Sequence, residues 1–160
     1  MASELPGKRT EGSARADIEA PGPLMRERYW RPELLTGVDA IDQEHERILS
    51  IAQAVLRGAA LEDRAVIART LTELSEYIQV HFAHEEAMME ELGYPNAKEH
   101  KATHQRLAAA LESLLVPDAL HGDRGEGFRR VMFEWVLEHI FKHDKPFARF
   151  ALARAGNERG

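Results

Sequence analysis

Val80–His104, VHFAHEEAMMEELGYPNAKEHKATH, concentrates four of the chain's eight histidines in a run rich in acidic residues. Such side chains are costly to bury and normally face water. Here helical spacing puts His81, His100 and His104, with Glu85, on faces that should look into a core. His81 and Glu85 stand four residues apart, one turn along the same face, and His100 and His104 repeat that step after LGYPN. The short LGYPN turn makes the two helices antiparallel neighbours, so the four side chains should converge.

Working outward, the same helical period continues. Val38, Ile41, His45, Ile48, Ala52 and Val55 form one stripe; Ile67, Leu71, Leu74, Ile78, His81, Glu85, Met88 and Leu92 form the next. Ala97, His100, His104, Leu107, Leu111 and Leu114 make a third, and Phe128, Met132, Trp135 and His139 a fourth. RGAALED, LGYPN and VPDALHGDRGEG read as the breaks between them. Pro146 should end or kink the fourth helix and open a short helical segment, KPFARFALARA. The expected fold is all-α, an antiparallel up-down four-helix bundle over residues 27–155. The charged, Gly/Pro/Ser/Ala-rich residues 1–26 read as a flexible tail.

Composition narrows the chemistry. The chain has 160 residues, 44% of them apolar, which suits one globular domain. A net charge of −6 without a Lys/Arg-rich stripe argues against a nucleic-acid partner, and phosphate-cradling glycine loops are absent. Zero cysteines exclude disulfides, thiolate metal sites and a cysteine nucleophile, leaving histidine and carboxylate as metal donors. With no secretory signal and no apolar run long enough to span a bilayer, the expectation is a cytoplasmic protein with no membrane insertion.

One inward histidine would ordinarily be a hydrogen-bonded core residue. Five of them plus a glutamate, spread over all four helices, would each cost roughly 1–3 kcal/mol if left unsatisfied, and a shared metal centre removes that cost at once. HExxH is absent, because His84-Glu85 is followed at the last position by Met88. No histidine follows a glutamate by three residues, which argues against ferritin-like Glu-x-x-His di-iron chemistry.

The order of these residues resembles the hemerythrin family, the bacteriohemerythrins in particular. That pattern is a histidine in helix one, HxxxE in helix two, HxxxH in helix three and HxxxxD at the end of helix four. Here it falls on His45, on His81 with Glu85, on His100 with His104, and on His139 with Asp144. The supporting segments TGVDAIDQEH, HFAHEEAMMEELGYP and WVLEHIFKHDKPF are similar to the family's, and the resemblance runs from about Arg28 to Ala155. Helical spacing alone would choose His143, four residues after His139, over Asp144 at five. The helix break expected at Pro146, and the ability of a carboxylate to bridge two metals, favour Asp144; the resemblance selects it.

The resemblance implies two non-heme irons with a bridging oxo or hydroxo group. His100, His104 and His139 would hold the coordinatively full iron, His45 and His81 the iron with a vacancy, and Glu85 and Asp144 would bridge. Two six-coordinate irons offer about twelve positions, and this set fills all but one. The implied function is reversible O2 binding for carriage, storage or delivery, with small anions or NO as other ligands of the open position and an O2-consuming protein as a possible partner. An O2 or redox sensor, or a peroxidase or nitric oxide enzyme on the same centre, stays open as an alternative. Ile48, Phe82, Trp135, Val136 and Ile140 lie within one turn of the donors and would line the O2 pocket. His84, His121 and His143 read as surface residues in preference to supports behind the ligands, Glu86 and Glu90 as a solvated face, and Tyr77 as a boundary residue in preference to a hydrogen-bond partner near the site.

Overall fold

A computed structural model of the chain describes residues 32–115 and 124–157. A 3-10 turn, Pro32–Leu34, leads into α1 (Asp39–Ala60), α2 (Arg64–Leu92) and α3 (Ala97–Glu112). The fourth rod is helical without interruption: α4 (Arg124–Phe133), a π-helical segment (Glu134–Asp144) and α5 (Lys145–Asn157). Helix α1 packs on α2, α2 on α3, α3 on the fourth rod, and the rod back on α1. The bundle expected from the periodicity is the observed fold, and no strand occurs among the described residues. Residues 1–26 and His121 lie outside the described residues, as does the side chain of Val136.

Local chemistry explains the junctions. Asp42 holds the entry to α1, its carboxylate accepting from the Thr36 N–H and hydroxyl, both at 2.8 Å, and from the Gly37 N–H at 3.1 Å. At the start of α2 the Asp63 side chain accepts from the N–H groups of Ala65 and Val66, a cap that contributes about 1 kcal/mol. Helix α2 ends on Gly93 in the left-handed region (φ +64°), where the Tyr94 N–H reaches the Met89 carbonyl and the Gly93 N–H reaches Glu90. This paired closure is the helix ending that glycine allows.

Two expected breaks differ. Most of RGAALED is helical, and only Leu61–Asp63 forms the turn. Gly58 is buried inside α1 because α2 passes close by: a Cβ there would stand 3.0 Å from Val66 Cγ1 and 3.2 Å from Ile67 Cγ1. Pro146 does not end the fourth rod either. It closely follows the π-helical segment, and the helix runs on to Asn157.

The interior is apolar at both ends and polar between. A large cluster includes Ile48, Val55, Leu71, Leu74, Ile78, Phe128 and Trp135; a smaller one joins Ile41, Met89, Phe147 and Ala151. Met89, not Met88, is the fully buried methionine after Glu85. Between the two clusters α1, α2, α3 and the fourth rod each contribute histidine. No helix among the described residues is long and apolar enough to cross a membrane.

Candidate metal centre

The polar layer consists of His45 from α1, His81 and Glu85 from α2, His100 and His104 from α3, and His139 and Asp144 from the π-helical segment. All seven are at most 2% exposed. Their donor atoms fall into two groups: Glu85, His100, His104, His139 and Asp144 in one, and His45, His81, Glu85 and Asp144 in the other. Within each group the atoms lie within 4.8 Å of one another, and the two carboxylates belong to both.

Asp144 is central. Its Oδ1 lies 3.0 Å from the Nε2 atoms of both His100 and His139, and its Oδ2 lies 3.2 Å from Nε2 of His45. Glu85 Oε2 is 3.2 Å from Nε2 of His104, 3.5 Å from His100 and 3.9 Å from His81. The π-helix explains how Asp144 gets there. Its hydrogen bonds close five residues apart rather than four, so the wider turn brings residue 144 toward the face of His139. Winding, rather than a break at Pro146, turns the carboxylate inward. His143, expected at the surface, is half-buried; its ring stacks on His139 at 5.3 Å and leans on His100 at 5.5 Å.

The residues present fit a cation. Both oxygens of Glu85, both of Asp144 and the Nε2 atoms of His81 and His104 are buried without a hydrogen bond, although they crowd together. Native interiors rarely leave such groups unpaired. The outer nitrogens, by contrast, are anchored: His81 Nδ1 to Glu44 Oε2 at 2.8 Å, His104 Nδ1 to Glu86 Oε1 at 3.0 Å, and His139 Nδ1 to the Thr103 hydroxyl at 3.0 Å. Since Thr103 donates its own proton to the His100 carbonyl, it must accept from His139. Each ring therefore carries its proton outward and turns a lone pair inward, as metal-binding histidines do.

Without a cation, protons do part of the balancing. Burial and the neighbouring Asp144 push the Glu85 carboxyl up, but the His100 and His104 imidazoles outweigh them and hold it down to about 2. Burial likewise opposes ionisation of Asp144, and His139, His100 and His45 together hold it well below the usual range. Burial also works against a charge on His100, yet the two carboxylates raise it to about 9.

A model of the hemerythrin HHE cation-binding domain matches residues 36–151. The chain belongs to the hemerythrin family. Among similar proteins, the bacteriohemerythrin of Stenotrophomonas maltophilia is 29% identical over 119 residues, 74% of this chain and 78% of that one. That of Methylococcus capsulatus is 30% identical, covering 72% and 88%, and that of Clostridium acetobutylicum 27%, covering 74% and 96%. A hemerythrin domain implies non-heme iron binding, and oxygen and nitrogen donors of this kind suit iron.

Sequence reasoning missed three anchors in this hemerythrin domain. Glu44, Glu86 and Thr103 each hold a histidine of the cluster, Glu86 from a face that reads as solvated in the sequence. Glu44 is also bonded to the exposed His84 at 2.6 Å. Adjacency was the available signal for two of them, since Glu44 precedes His45 and Glu86 follows Glu85. Exposed Glu90 and boundary Tyr77 lie where expected. Glu44→Ala should weaken iron retention about 10- to 100-fold in chelator competition, while Glu90→Ala leaves it unchanged. Equal retention in the two variants would remove Glu44 from the centre.

Proposed function

We propose that this domain binds O2 reversibly at a pair of non-heme irons bridged by Glu85, Asp144 and an oxo or hydroxo group, for oxygen carriage, storage or delivery. The observation that carries this reading is the pair of overlapping donor groups, one with three histidines and one with two, sharing both carboxylates. His100, His104 and His139 would hold the full iron, and His45 with His81 the iron that keeps a position for O2, small anions or NO. When bound, the iron pair supplies the electrons that O2 binding requires and recovers them when O2 leaves.

The chain's own residues supply the rest. The pocket side is apolar: Ile48, Phe82 and Ile140 are buried, and Trp135 stands against His45 and His81 with ring centroids 5.4 and 6.4 Å apart. Phe82 stacks on His104 at 3.9 Å and covers that flank. Such a lining keeps water and stray protons away. Bacteriohemerythrin relatives across most of the chain support the same reading.

The test is a visible spectrum of iron-loaded protein, with iron quantified in the same sample, taken after anaerobic reduction, after O2 addition and after O2 removal. A charge-transfer band that comes and goes with O2 is expected, at two irons per chain. Immediate irreversible oxidation would overturn the carrier role in favour of a sensor or an enzyme, and absence of iron would overturn the metal assignment.

A further inference from the structure

A cleft of about 790 Å³ lies between α3 and the fourth rod, outside the buried centre. Its lining includes His139 but neither His45 nor His81. Thr103 and His139, joined by their 3.0 Å hydrogen bond, are its buried end. Thr103, Arg106, Leu107 and Ala110 follow one another on a single face of α3, and half-buried Leu107 and Ala110 give the cleft an apolar wall. Opposite them the rod presents Arg130, Lys142 and Glu138, with the half-buried ring of His143. Sites for small organic molecules span about 300–1,000 Å³ and join apolar walls to a few polar groups. The charge is the distinguishing feature. In a chain of net charge −6, three cations line this cleft against a single carboxylate, and that carboxylate, Glu138, is bonded to Lys142. Among the described residues no acid pairs with Arg106.

We propose that this cleft binds a mononucleotide-sized organic phosphate, its phosphate set against Arg106 among the cleft's cations and its ring body over Leu107 and Ala110. Within the lining the cations outnumber the carboxylates by two. A phosphate monoester carries about −1.5 to −2 at neutral pH and answers that excess, whereas a carboxylate answers half of it. The chain has no glycine loop to cradle phosphate, so recognition falls to the guanidinium, whose planar fork matches phosphate oxygens with two hydrogen bonds. Exposed charges are screened by water and salt, so charge alone holds a ligand weakly here. The apolar wall adds the rest, which is why the ligand needs a ring body as well as a phosphate. The site is separate from the centre and does not depend on which metal the histidines hold.

The experiment is equilibrium dialysis of adenosine monophosphate and of flavin mononucleotide against the iron-loaded protein, with iron quantified, alongside adenosine, riboflavin and inorganic phosphate. At least one nucleotide should bind with a dissociation constant below about 1 mM, about tenfold tighter than its phosphate-free counterpart and than inorganic phosphate. Arg106→Ala should weaken that binding about tenfold, and Ala110→Trp, which fills the cleft with an indole, should abolish it. Neither residue belongs to the donor groups, so iron content should stay the same in both variants. Arg106 is exposed, and its truncation tests the site whatever the larger side chain does to the stability of α3. Failure of both nucleotides to bind, inorganic phosphate binding as tightly as they do, or affinity that ignores Arg106→Ala would overturn the proposal and leave the iron reading intact. Nucleotide binding to a protein that takes up no iron would overturn the iron reading and leave the cleft.

Discussion

Asp144→Ala should strip the centre of its iron, whereas His143→Ala should keep it. The two residues are neighbours in sequence, yet their surroundings differ. Asp144 is fully buried, belongs to both donor groups and lies within 3.2 Å of three imidazole nitrogens. Its removal takes a member from both donor groups and also deprives charged His100 of a counter-ion. Breaking a buried ion pair from one side costs about 3–5 kcal/mol, so the metal-free variant should melt well below the wild type. His143 is half-buried and offers ring contacts alone; its truncation should cost about 1 kcal/mol and little iron. Iron per chain after desalting, with melting temperatures of the metal-free proteins, gives the ranking. The reverse order would mean that the i+4 residue, not the i+5 residue, is the donor.

The metal-free and iron-loaded proteins should respond to pH in opposite senses. In the metal-free protein Glu85 is held at about 2, below its ordinary 4.5; its contribution is complete above about pH 4.5 and disappears as the pH falls. His100 is raised from 6.5 to about 9, so its contribution is complete below about pH 6.5 and is lost as the pH rises through 9. His81, raised mainly by Glu44 against its burial, acts in the same sense. His139 is lowered by burial and acts in the opposite sense, without the two-carboxylate pairing that shifts His100 so far. Stability of the metal-free protein should therefore peak between about pH 4.5 and 6.5 and fall by about 3 kcal/mol toward alkaline pH. Iron held by these imidazoles would need them neutral, so loading would expel the proton from His100 and strengthen as the pH climbs. Urea unfolding of both forms at about pH 5.5, 7 and 9 checks the crossing. A metal-free protein that grows more stable above pH 6.5 would refute the ion pairing.

Most of the bundle was legible because three- and four-residue apolar steps repeat over long stretches. His45, His81, Glu85, His100 and His104 occupy those steps and meet in the folded chain. Three things were not legible. Gly58 reads as a breaker but serves a close helix crossing, a tertiary fact that local sequence does not carry. The winding of Glu134–Asp144 is also silent in the periodicity, and an α-helical ruler laid on that stretch selects His143. Glu86 looked solvated because its partner, His104, arrives from another helix.

That wide segment has a consequence for the C-terminal rod. Each turn that closes on the fifth residue instead of the fourth spends one extra residue, so everything downstream is rotated in phase. Phe147, Ala148 and Ala151 face inward because they follow that dislocation, and Arg154 reaches the Leu92 carbonyl from the same register. Deleting one residue between Glu134 and Asp144 would spin α5 by about 100°, swinging its apolar side chains out of the interior as it withdrew the carboxylate. The extra residue is thus a phase key: the clasp on α2 and the centre's shared carboxylate are cut by one turn of the same helix.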